Sequence, residues 1–223
     1  ANAPDTKDFE AICARCVKIF ERAEENIVKD AAMQKDGSHV LSTPLRLDAV
    51  ESFTGKGVTI AFLDSGFFPH PDLIKPKSRI VGYRNMLHKD GDISNLFETD
   101  VASWHGMMTS VVAAGNGSLS NGFYRGIAPD SDVVLVKLAK TGRITEQNIQ
   151  DGLEWILENR TKHNIRIVNI SAGGDFEQSY LHDSLSQTVE ECVNKGLIVV
   201  CAVGNAGHLP THPVFPPASA PSC

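Results

Sequence analysis

Apolar residues recur at steps of three and four through Phe9, Ile12, Cys13, Cys16, Val17, Phe20, Ala23, Ile27, Val28 and Ala31, which is the period of an amphipathic helix. The pattern predicts such a helix from about residue 6 to residue 34, with Asp5 or Thr6 placed to cap it and Gly37 to stop it. The stretch from Asp36 to Thr43 reads as a linker. Residues 1–38 are therefore expected to form an N-terminal helical extension, and 39–223 a separate unit.

Beyond the linker the period changes. Val58–Leu63, Arg79–Tyr83, Asp132–Leu138, Ile165–Ile170 and Leu197–Val203 are short, rich in Val and Ile, and bounded by Gly, Asp or Asn, so they read as strands. Between them, Leu45–Phe53, His105–Ala114, Thr145–Glu158 and about Leu181–Lys195 read as helices. A strand that is apolar at successive positions has no face to offer to water. Alternation of such strands with helices therefore predicts an α/β fold, a mostly parallel sheet with helices on both faces. The final "HPVFPPASAPSC" is rich in Pro and Ser and contains no further element.

Charge narrows the partners. Twenty-one basic against 27 acidic residues give a net charge of −6, and no Lys/Arg cluster supplies the basic face that phosphate backbones require, so nucleic acid is not an expected partner. No apolar run approaches the ~20 residues of a membrane span. Of the five cysteines, Cys192 and Cys201 fall in segments expected to be buried helix and strand, where reduced thiols pack as small hydrophobes. Cys13 and Cys16 form a C-x-x-C inside the helical pattern and lack a second ligand pair with metal spacing, so they read as neighbouring thiols on one helix.

The chemistry gathers where strands stop, because in an open parallel sheet the loops at the carboxyl ends converge on one edge. The first strand runs into Asp64-Ser65-Gly66, the fourth into Asn169-Ile170-Ser171-Ala172-Gly173-Gly174, and the fifth into Gly204-Asn205-Ala206-Gly207. His105 opens the apolar helix "HGMMTSVVAAG". Taken singly, each has an ordinary explanation: a capped turn, a helix-start histidine, an asparagine that tolerates left-handed backbone angles. Their joint order is more specific.

That order resembles the subtilisin-like serine proteases. The resemblance is carried by "VTIAFLDSGFFPHPDL" (58–73), "HGMMTSVVAAG" (105–115), "YRGIAPDSDVVLVKL" (124–138), "RIVNISAGG" (166–174), "LIVVCAVGNAG" (197–207) and "FPPASAPS" (215–222). It implies an endopeptidase in which Asp64 orients the imidazole, His105 is the general base, and Asn205 donates to the oxyanion. Ser171, Ala172 and Gly173 would pair with an extended peptide substrate. The family's Gly-Thr-Ser-x-Ala-x-Pro motif, which carries the nucleophile, is not among the 223 residues, and Ser219 and Ser222 lie in a tail unlike it. The expectation is a protease domain cut before its serine segment, with the remaining segment as a partner. Met107 departs from the family's usual threonine and places a larger side chain beside the histidine.

The resemblance implies no required cofactor. Asp72 is similar to a position that helps hold a structural calcium in some members, but the loop "GNGSLSNG" (115–122) carries no carboxylate and reads as a solvated loop. The alternative class is a catalytically inactive peptide-binding scaffold with the same groove. A nucleotide-binding domain is disfavoured, since Gly55-Lys56-Gly57 precedes its strand instead of following it. Localisation stays open between export, the family's habit, and the reducing interior that unpaired cysteines favour.

Overall fold

The computed structural model describes residues 43–88, 91–141, 143–174, 179–205, 207–208 and 214–223. The expected helix over 6–34, the Cys13/Cys16 pair and most of the expected linker lie outside these residues.

Ten regular elements follow in chain order, apart from two 3-10 turns at Ile93–Phe97 and Ser118–Ser120. They are α1 (Thr43–Arg46), β1 (Thr59–Asp64), α2 (Pro71–Ile74), β2 (Ile80–Asn85), α3 (Ser103–Ala114), β3 (Asp132–Lys137), α4 (Glu146–Asn159), β4 (Ile165–Ile170), α5 (Ser184–Asn194) and β5 (Ile198–Cys201). The five strands form one parallel sheet in the order β2-β3-β1-β4-β5.

The centre of the sheet, β1 and β3, is buried on both faces, as its apolar strands require, while Ile198 and Val200 of the edge strand β5 are exposed. Along β1, Ala61 and Leu63 join Val134, Val136, Val168 and Ile170 in a core closed by Ile149, Leu153 and Ile156 of α4 and Leu185 and Val189 of α5. Ile60 and Phe62 point the other way, into a core with Val133, Leu135, Leu73 and Ala114 beneath α2 and α3. Each large apolar side chain so buried contributes about 1.5–3 kcal/mol relative to exposure.

Three expected elements differ. The helix over Leu45–Phe53 is a single turn, Thr43–Arg46, because Asp48 adopts a left-handed conformation (φ 49°) that ends it. The fifth strand ends at Cys201, short of the expected Val203. Its partner β4 stops at Ile170, and after one last bond from Ala202 N–H to the Ile170 carbonyl there is no ladder left to continue. The 181–195 helix starts later, at Ser184, where Asp183 accepts the Ser186 N–H at 2.6 Å and caps it.

β1 lies centrally, paired to β3 on one side and β4 on the other. The chain leaves β1 toward β2 on one side and reaches β4 and β5 on the other. The loops at the carboxyl end therefore part around β1 and open a crevice there.

Candidate active site

Asp64 is the last residue of β1 and is completely buried. A carboxylate removed from water must find hydrogen-bond donors, and this one has four within reach. Its Oδ1 accepts the Ser65 N–H at 2.6 Å and lies 3.1 Å from Ser65 Oγ; its Oδ2 lies 3.2 Å from Thr109 Oγ1. The fourth donor is the imidazole of His105, whose Nδ1 lies 2.8 Å from Oδ1 and 3.0 Å from Oδ2. The two hydroxyls also face main-chain carbonyls, Ser65 Oγ that of Ala102 and Thr109 Oγ1 that of Gly106, so each proton serves one acceptor at a time.

An ionised carboxylate only accepts, so this contact puts the proton of a neutral imidazole on Nδ1 and leaves a lone pair on Nε2. The His105 side chain is 39% exposed, against 1% for Asp64. One edge of the ring is thus held by a buried anion while the side chain keeps access to solvent. Trp104 packs edge-on to the ring at 5.4 Å.

Two local features deliver His105 to this place. Gly106 lies so close to the end of β1 that a Cβ there would be 2.2 Å from the Gly66 carbonyl oxygen and 2.9 Å from the Asp64 Cβ, which is a close approach only glycine permits. Upstream, Asp100 Oδ1 accepts the Ala102 N–H at 2.9 Å, standing in for the side-chain cap that Ala102 itself does not supply to α3. Met107, the larger residue beside the histidine, coexists with the 2.8 Å contact to Asp64.

The segment after β4 runs along the same edge. Ser171 N–H donates to the Leu63 carbonyl at 3.2 Å and Gly174 N–H to the Pro216 carbonyl at 2.7 Å. Between them, Ala172 and Gly173 make no backbone hydrogen bond among the described residues. Asn169 Nδ2 donates to Ser171 Oγ at 2.9 Å and fixes that side chain. Asn205 lies four residues beyond β5, after Gly204 in a left-handed conformation (φ 97°), and is exposed.

Asp72 is buried elsewhere, on α2. Its Oδ1 accepts the Leu119 N–H at 3.0 Å, and its main-chain carbonyl accepts from Arg79 Nη2 and from the Asn116 N–H. Asn116 Oδ1 is turned to the Ser118 N–H. Among the described residues no group of three or more His, Cys, Asp or Glu is placed to hold a metal.

Sequence reasoning reached Asp64 and His105 but not Thr109, Ser65, Asp100 or Lys137. Thr109 sits one turn after His105, on the same helix face. Lys137 was marked by its charge at the end of the otherwise apolar run "VVLV".

Comparison with known proteins gives a consistent result. The profile described as "Subtilase family" matches residues 55–222. The chain is 33% identical over 202 residues to the serine protease AprX of Bacillus subtilis (strain 168), covering 87% of this chain and 42% of that protein. It is 30% identical over 195 residues to the major intracellular serine protease of the same organism, covering 86% and 56%. Among solved structures, Sphericase superposes with a TM-score of 0.55 at 26% identity, covering 69% of this chain and 48% of Sphericase. The CspB protease of Clostridium perfringens superposes at 0.60 with 19% identity, covering 70% and 37%. The chain thus spans about half the length of the curated relatives it matches.

Proposed function

The chain belongs to the subtilase family, and from that premise we propose that it supplies the acid, the base and the oxyanion donor of a serine endopeptidase whose nucleophile is carried by sequence outside these 223 residues. The observation that carries this reading is the 2.8 Å contact between Asp64, buried at a strand end, and His105, whose side chain is partly exposed.

In this reading a serine hydroxyl meets His105 Nε2. As its oxygen attacks the scissile carbonyl, the proton passes to Nε2, and the imidazolium is stabilised across Nδ1–H by the Asp64 carboxylate. The carbonyl oxygen acquires negative charge in the tetrahedral intermediate, and the Asn205 carboxamide donates a hydrogen bond to it. Collapse expels the amine, which takes the proton from Nε2. Water then releases the acyl group by the same steps in reverse order.

The substrate lies along Ser171–Gly173. Backbone groups of Ala172 and Gly173 without a backbone partner among the described residues are what an added strand needs, and small side chains leave room for those of the peptide. Further sequence also has a place to pack, since Ile198 and Val200 are exposed on β5, which is the edge strand among the described residues.

The test is fluorophosphonate labelling together with peptide hydrolysis, using the chain extended with its downstream sequence. Labelling of a serine in the added segment, abolished by His105→Ala, is expected, and the 223-residue chain alone is expected to take no label. Labelling of Ser219 or Ser222 overturns the assignment. An extended protein that binds peptides without hydrolysing them selects the inactive scaffold.

A further inference from the structure

Asp64 and Lys137 occupy the same rung of β1 and β3 and close the carboxyl ends of these two neighbouring strands. Both side chains reach the start of α3. Asp64 holds His105, and Lys137 Nζ lies 2.7 Å from Asp100 Oδ2. Lys137 is 6% exposed, so its ammonium depends on that counter-charge. We propose that the Lys137–Asp100 pair is a positioning device for His105, fixing the first turn of α3 and keeping the Lys137 ammonium away from the Asp64 carboxylate.

The pair acts in two ways. The first is mechanical. With its other oxygen, Asp100 holds the Ala102 N–H at 2.9 Å and lies 3.2 Å from Ser103 Oγ, so the turn that introduces His105 is organised around a carboxylate that Lys137 anchors. Gly106 against the Gly66 carbonyl limits how near the helix can come, and the ion pair limits how far it can lift. Two hydroxyls also tether the helix to this strand end, Ser65 Oγ on the Ala102 carbonyl and Thr109 Oγ1 on the Asp64 carboxylate, and each has a single proton shared between two acceptors.

The second is electrostatic. Neighbouring strands stand about 4.8 Å apart, so an ammonium on the rung beside Asp64 is within a side-chain rotation of it. A buried charge seeks the best anion in reach. While Asp100 satisfies Lys137, the Asp64 carboxylate keeps its imidazole; without Asp100, Lys137 competes with His105 for Asp64.

This deepens the protease reading and rests on it for its consequence in catalysis, but the histidine itself can be observed directly. In the 223-residue chain labelled with ¹⁵N-histidine, NMR is expected to show His105 with its proton on Nδ1 and a downfield Nδ1–H resonance. Asp100→Asn and Lys137→Met are each expected to lose that resonance, and Lys137→Arg to retain it. Leu153→Ala, which destabilises the opposite core, is expected to leave it unchanged. Should a single variant fail to fold, the double variant Asp100→Asn/Lys137→Met, which leaves no unpaired buried charge, is expected to fold and to lose the resonance. A folded Asp100→Asn or double variant with the wild-type signal overturns the proposal. A chain that proves not to be a protease leaves the wild-type signal in place, so the two failures are distinguishable.

Discussion

Gly106 lies against the carbonyl oxygen of Gly66 with no room for a side chain between them: a Cβ would sit 2.2 Å from that oxygen. This contact lets the helix bearing His105 approach the buried end of β1 closely enough for the imidazole to meet Asp64. Gly106→Ala must push α3 outward by an ångström or more. We expect a loss of about 1–3 kcal/mol in stability from overpacking, measured by urea denaturation, together with loss of the Asp64–His105 hydrogen bond, read by histidine NMR. A variant of wild-type stability with the bond intact contradicts this account of the helix placement.

The acid and the oxyanion donor are expected to separate in kinetics. On the proposed mechanism, in a chain extended by downstream sequence that carries a serine nucleophile, Asp64→Asn reverses the tautomer preference of His105 and is expected to lower kcat roughly 10⁴-fold. Asn205→Ala removes one donor to the intermediate and is expected to lower kcat about 10²–10³-fold with little change in KM. A large change in KM alone for Asn205→Ala would place that residue in substrate binding instead.

Stability is expected to fall in mild acid. Burial holds the His70 imidazole below its ordinary pKa near 6.5, against the opposing pull of Asp72. The neutral ring is also what the fold uses, since Nδ1 accepts the Asp72 N–H at 3.2 Å and caps α2. Below pH 6.5 the unfolded chain binds a proton that the folded chain resists, so stability declines as pH drops through that value; above it both states are neutral and the contribution is constant. Urea midpoints at pH 7.5 and 5.5 should therefore differ less for His70→Asn than for the natural chain. Equal differences would remove His70 from the explanation.

Thiol reactivity should follow burial. Burial, with a smaller contribution from Glu191, pushes the Cys192 thiol up to about 12, and burial together with the neighbouring Cys223 pushes Cys201 up as well. Cys223 is exposed. Since the thiolate is the reactive species, iodoacetamide at pH 8 is expected to modify Cys223 well before Cys192 or Cys201. Peptide mass spectrometry that finds Cys192 alkylated as fast as Cys223 contradicts the packing of α5.

The core between the sheet and α4 should be sensitive to cavities. Leu153 is fully buried among residues of β1, β3 and α5. Leu153→Ala is expected to cost about 2–5 kcal/mol in denaturant unfolding. A loss below 1 kcal/mol would mean that this interface collapses around the gap.

The sequence by itself determined the strands and the chemistry at their ends. Residues such as Val133 to Val136 and Ala61 to Leu63 are apolar in succession because both faces of a parallel sheet are covered, and that pattern is local and readable. It also placed Asp64 and His105 at the ends of elements that share one edge. Tertiary structure alone decided that His105 Nδ1 meets Asp64, that Thr109 joins the same carboxylate, and that Lys137 takes Asp100 instead of its neighbour on β1. It likewise set the length of β5, whose own residues favour a longer strand than its partner can pair. Propensity and periodicity act between residues a few positions apart, whereas these contacts join residues 37 to 45 apart and exist only because Gly106 lets a helix settle against a strand end.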